Sequence, residues 1–177
     1  MNQPLSKILV AATMLLCLTA CGGGGGGSAQ PPQQKTAALT FSTISGAHTT
    51  PLQAIQLKVK LPDGVTIPDL ATALTTPSGN NITPGVYSAA NQTASFIVTP
   101  ADIINSPVIK FGQFAKLQCD VIPGTTLDQN NFVTLNTPFP ELLMSGLING
   151  TTDFINIYDP ITNPTGIKVE LSVTFGY

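Results

Sequence analysis

The chain has 177 residues, a formal net charge of −2, and only 9% charged against 42% hydrophobic residues. Its seven basic residues are all lysines, so no basic stripe can track a phosphate backbone, and nucleic acid is a poor partner. Without Arg or Trp, and with a single His, it lacks guanidinium forks for anions and a broad stacking platform for sugars.

Met1 to Ala20 has the layout of a secretory signal: Lys7 supplies a thin positive region, and Ile8 to Leu18 is uncharged and mostly apolar. That run is too short for a hydrocarbon core of ~30 Å, which needs roughly 20 apolar residues in a helix. The residues that follow, Leu18-Thr19-Ala20-Cys21, resemble the lipobox of bacterial lipoproteins. The resemblance implies a thioether-linked diacylglycerol on the Cys21 sulfur and cleavage just before it. It also implies attachment to a membrane through Cys21, since two or more acyl chains anchor stably where one does not. Gly22 stands where inner-membrane retention signals place an aspartate, so the same resemblance favours the outer membrane, with a periplasmic or surface-facing domain.

Gly22 to Gly27 and then Ser28 to Gln34 have almost no apolar side chains to offset the entropy of ordering. They read as a linker whose coil dimensions are about 20 Å. The expected organisation is therefore a removed signal over 1–20, a lipidated cysteine and linker over 21–35, and a folded domain over 36–177. Of three cysteines, Cys17 leaves with the signal and Cys21 is acylated. Cys119 remains, which rules out an intrachain disulfide in the domain.

Two-residue alternation dominates the domain. Leu39 to Ser45 is a short strand candidate, followed by a turn cluster from Gly46 to Pro51. In Ala54 to Leu61, Ile55, Leu57, Val59 and Leu61 share one face while Gln56, Lys58 and Lys60 take the other. Pro62-Asp63-Gly64 then makes a turn with glycine where φ is positive. Asp69 to Leu74 suits a single helical turn, Thr76 to Pro84 and Ala89 to Asn91 read as turns, and Thr93 to Thr99 as a strand. Phe114 to Val121 points Ala115, Leu117, Cys119 and Val121 inward against Lys116, Gln118 and Asp120, and Pro123-Gly124 stops it within a turn cluster reaching Asn131. Phe132 to Asn136 reads as a strand. Pro140 to Leu147 is the one helix-like candidate, with Pro140 suited to its first position and Glu141 to its first turn, and the same sequence would also serve as a loop or strand. After turns over Asp159 to Gly166, Ile167 to Tyr177 alternates Ile167, Val169, Leu171, Val173 and Phe175 with polar residues. Seven to nine short strands punctuated by glycine and proline define an all-β, antiparallel β-sandwich.

Gly112 to Val121, a glycine and a bulky apolar residue ahead of an Ala-led alternating strand, resembles the central strand of cohesin-type modules. Ala54 to Ile67, a strand running into Leu-Pro-Asp-Gly-Val, is similar to an early segment of the same modules, and Thr126 to Leu135 and Ile167 to Phe175 fit their order. The resemblance implies a nine-stranded jelly roll, an architecture shared with carbohydrate-binding modules. In its best-known members one sheet face carries a calcium-loaded partner module. It transfers no contact residues to this chain.

Side chains that could carry chemistry are few. His48 lies in a Gly-Ala-His-Thr-Thr-Pro turn and reads as a solvated loop histidine. Cys119 falls on the inward phase of its strand and reads as a small core hydrophobe. Asp153, Asn156 and Asp159 could be drawn as oxygen ligands for Ca²⁺, but their spacing matches no EF-hand and they read as a turn or strand end. The terminal Phe175-Gly176-Tyr177, which also suits an outer-membrane barrel strand, reads as the closing strand of the sandwich. No catalytic set, metal site or cofactor is expected. The expectation is a non-catalytic binding or structural module, presented to another envelope protein or, alternatively, to a glycan, with Tyr87, Tyr158 and Tyr177 as the aromatic candidates for sugar stacking.

Overall fold

A computed structural model describes residues 33–44, 52–77, 79–102, 104, 108–147, 154–156 and 167–177. The chain divides into two units, Met1–Pro31 and Pro32–Tyr177, and all described residues belong to the second. Its strands are β1 (Thr36–Ile44), β2 (Leu52–Lys60), β3 (Val65–Thr66), β4 (Leu74–Thr75), β5 (Asn80–Ser88), β6 (Thr93–Pro100), β7 (Gly112–Val121), β8 (Glu141–Leu147), β9 (Phe154–Asn156) and β10 (Lys168–Gly176). Two short helices accompany them, α1 (Leu70–Ala73) and α2 (Gln129–Leu135).

The strands form two antiparallel five-stranded sheets. The first runs β10-β1-β7-β3, with β4 also paired to β7, and the second runs β5-β6-β2-β8-β9. The chain crosses repeatedly between them, so each sheet is assembled from residues distant in sequence. The fold is an all-β sandwich.

Alternation is what allows this. On β1, Ala37, Leu39 and Phe41 are fully buried, and on β2 so are Ile55, Leu57 and Val59. Ala94, Phe96 and Val98 of β6 complete the interior from the second sheet, and Ala115, Leu117 and Cys119 of β7 from the first. Phe41 is the hub of this core: its ring meets Phe96 of the opposite sheet edge-to-face at 5.5 Å and the rings of Phe114 and Phe139 at 6.3 Å. Phe114 reaches inward beside Ala115 because the β1–β7 register shifts between Phe41 and Ser42, a bulge that turns two successive residues to one side. Gly64 takes φ +83° in the turn after β2, as expected, and a Cβ there would meet Thr125 Oγ1 at 2.5 Å.

Two segments depart from expectation, and a third takes one of its two readings. Phe132 to Leu135 is helical, not a strand, and Asn136 is the C-cap. Asp128 and Asn131 form a reciprocal capping box that starts α2, and Phe132 and Asn136, four apart, are buried as helix geometry requires. In Pro140 to Leu147 the strand alternative wins over the helix, from Glu141 onward. Leu142 and Met144 are buried while Leu143 is exposed, because pairing with β2 overrides the helix preference of Glu, Leu and Met. β5 lies partly in the expected Thr76–Pro84 turn. As an edge strand it accommodates Pro84, with a register shift between Pro84 and Tyr87.

The chain enters the sandwich at one end. Lys35 N–H donates to Gly176 C=O and Lys35 C=O accepts from Val121 N–H, both at 2.8 Å, extending β1 by one residue. Gln34, which composition places in the linker, clamps Leu127 with its side chain, donating to the C=O at 2.7 Å and accepting from the N–H at 2.9 Å.

Candidate binding face

The two outward faces differ in chemistry. On the first sheet, Thr40, Ser172 and Lys116 align in one row and Ala38, Thr174 and Gln118 in the next, a surface of hydroxyls, amides and charges with exposed Ile44 and Ile122 at its two rims. On the second sheet, the register aligns Thr83, Ile97, Gln56 and Leu143 across four strands. Ile97 is 38% exposed and Leu143 41%, so two aliphatic side chains flank Gln56 in solvent.

Next to this row, Lys58 Nζ lies 2.9 Å from Glu141 Oε2, and Gln56 Nε2 donates to Glu141 Oε1. These contacts hold the Glu141 carboxyl below its usual range, first through the hydrogen bond from Lys58 and then through that from Gln56. The result is a patch with two apolar points, one fixed ion pair and small polar neighbours, set on β strands that hold its spacing. Its signal in the sequence is a phase error: Ile97 sits on the polar phase of a strand whose inward phase is Ala94, Phe96 and Val98.

Other sequence candidates fall elsewhere. Cys119 is fully buried; its thiol is pushed up to about 12 by burial and, secondarily, by Asp120, and is not a nucleophile at neutral pH. Tyr87 packs against the core with its hydroxyl buried, whereas Tyr177 is 64% exposed at the end of the other sheet. These two rings share no face. Cys21, His48, Asp153, Tyr158 and Asp159 lie outside the described residues, and of Asn156 only the backbone is described.

A cleft of about 700 Å³ between the turn after β2, the β5–β6 turn and α2 is lined by polar groups including Lys60, Asp63, Asn91, Gln92 and Asp128. Asp128 is committed to capping α2. Among the described residues no three His, Cys, Asp or Glu side chains come together as a metal site, and no helix is long and apolar enough to cross a membrane.

What the geometry defines is an all-β protein of two antiparallel sheets, the second of which exposes Ile97 and Leu143 mid-sheet on its outer face. No family model matches the chain, and neither curated proteins nor solved structures give a match.

Proposed function

We propose that the protein is an envelope lipoprotein, held by a diacylglycerol on Cys21, whose sandwich is a non-catalytic module that docks another envelope protein on the outer face of its second sheet. The observation that carries the reading is the pair Ile97 and Leu143, exposed on either side of Gln56, while their neighbours Phe96, Val98, Leu142 and Met144 are buried on the opposite face. Aliphatic side chains exposed in the middle of a sheet face are poorly solvated, and a partner that covers them gains from their burial. The cohesin-type resemblance of Gly112 to Val121 belongs to the same reading, because modules of that kind carry a protein on one sheet face. Gln34 and Lys35, the first described residues to bond to the sandwich, do so at the Gly176 end of the first sheet and not on that face.

The test has two arms on the full-length chain. Metabolic labelling with palmitate and membrane fractionation should show lipid on the wild-type protein, and a soluble, unlabelled product from Cys21→Ala. A photo-crosslinking residue at 97 or 143 should trap a defined envelope protein, while one at 40 or 118 should not. Equal crosslinking from both faces, or saturable binding of envelope glycans in place of protein, would replace this reading with the glycan one.

A further inference from the structure

The first sheet ends on β10, nine residues with a continuous register to β1 on one side and, among the described residues, no strand on the other. The remaining edges are poor templates. β3 and β4 have two residues each, β9 has three, and β5 carries Pro84 and a register shift. β10 has neither proline nor bulge, so its outward N–H and C=O groups stand in regular array.

A groove of about 450 Å³ runs beside this edge, with Val169 and Leu171 on the β10 side and Val133, Thr137 and Phe139 on the other. Glu170 is its one ionisable lining group, and no described cation lies within ion-pair distance of it. Two residues earlier on the same face stands exposed Lys168. A strand added to β10 would lay alternate side chains into the groove against Val169 and Leu171, and the others against Lys168 and Glu170.

We propose that the β10 edge accepts an extended peptide segment of a partner protein, apolar at alternate positions, with a basic residue opposite Glu170 and an acidic one opposite Lys168. The proposal rests on the reading of the domain as a protein-binding module but uses an edge, not the sheet face. A second copy of the chain offers the same charges in order, Lys168 then Glu170. Pairing two β10 strands about a two-fold axis, however, sends the chain entries beside Gly176 out at opposite ends, which suits two copies tethered to one membrane badly.

The test uses the full-length lipidated protein in detergent micelles and a blocked, fluorescein-labelled peptide, Val-Thr-Val-Lys-Val-Glu-Val. Fluorescence anisotropy should rise saturably, and hydrogen exchange should slow at β10 and not at β5. The double variant Lys168→Glu/Glu170→Lys keeps the net charge. It should weaken this peptide by roughly fivefold or more, from two like-charge cross-strand pairs, and the charge-swapped peptide Val-Thr-Val-Glu-Val-Lys-Val should regain the loss. A peptide methylated on alternate backbone nitrogens should not bind. Binding that ignores methylation or the charge swap, protection at β5, or a peptide-free dimer that the double variant leaves intact would each overturn the proposal. Crosslinking from position 97 would be untouched by any of these, so this edge can fail while the sheet-face reading stands.

Discussion

Asn136 serves as a strand partner for Lys60. β8 pairs with β2 only as far as Glu141 opposite Lys58, and two residues on, the Asn136 side chain takes over the ladder. Its Oδ1 accepts from Lys60 N–H and its Nδ2 donates to Lys60 C=O, both at 2.8 Å, while Nδ2 also donates to Phe132 C=O. The residue is 3% exposed, and its bond to Phe132 is buried while those to Lys60 are partly so.

Removing that amide should therefore cost more than an average hydrogen bond. Asn136→Ala is expected to destabilise by about 2–4 kcal/mol, because buried and partly buried backbone groups are left unpaired. Asn136→Asp should be comparably damaging at neutral pH, since a carboxylate cannot donate to the two carbonyls. Urea denaturation gives both values from the shift in midpoint at unchanged slope.

Phe41 joins the sheets through its contacts with Phe96, Phe114 and Phe139. Truncation to alanine should cost about 3–5 kcal/mol, lost transfer energy plus a cavity the surrounding rings cannot fill. That is a large share of the roughly 5–15 kcal/mol available to a domain. Phe41→Leu should retain more than half of the loss, and thermal unfolding of the two variants orders them.

The buried thiol of Cys119 makes a prediction at high pH. Its value in the folded protein, about 12, lies above the ordinary 9.0, so above pH 9 the unfolded chain gives up this proton first. Stability from this group is intact below pH 9 and falls as pH rises towards 12, on the order of 1 kcal/mol per unit. Cys119→Ala should flatten that alkaline slope relative to wild type. In the native protein at pH 8, a thiol reagent should modify Cys119 only at the rate of global opening.

Glu141 gives the opposite sign at low pH. Its carboxyl is held below 4.5 by Lys58 and Gln56, so the contribution is present in full above that value and is lost as pH falls through the lowered one. The Lys58 and Glu141 side chains are 41% and 32% exposed, which limits the effect to less than about 1 kcal/mol. Glu141→Gln should remove this acid-dependent step in the urea midpoint, and 1 M salt should shrink it in the wild type.

The class of fold and most of its core were legible in the chain because a pleated strand has a side-chain period of two, which survives in the linear order. Ile55, Leu57, Val59 and Leu61 declare an inner face with no knowledge of what lies opposite, and so do Leu117, Cys119 and Val121. Gly64 declares its turn for an equally local reason, a backbone conformation other residues resist. Pairing partners are a different matter. Whether Glu141 to Leu147 became helix or strand depended on β2 lying alongside it, and whether Phe132 to Asn136 coiled depended on a cap at Asp128 and on burial at positions 132 and 136. The candidate binding face arose the same way: Ile97 and Leu143 are 46 positions apart, and only the registers of β6 and β8 on β2 bring them to either side of Gln56. Local stereochemistry dictates which way a side chain points; hydrogen bonding between distant strands dictates which side chains become neighbours.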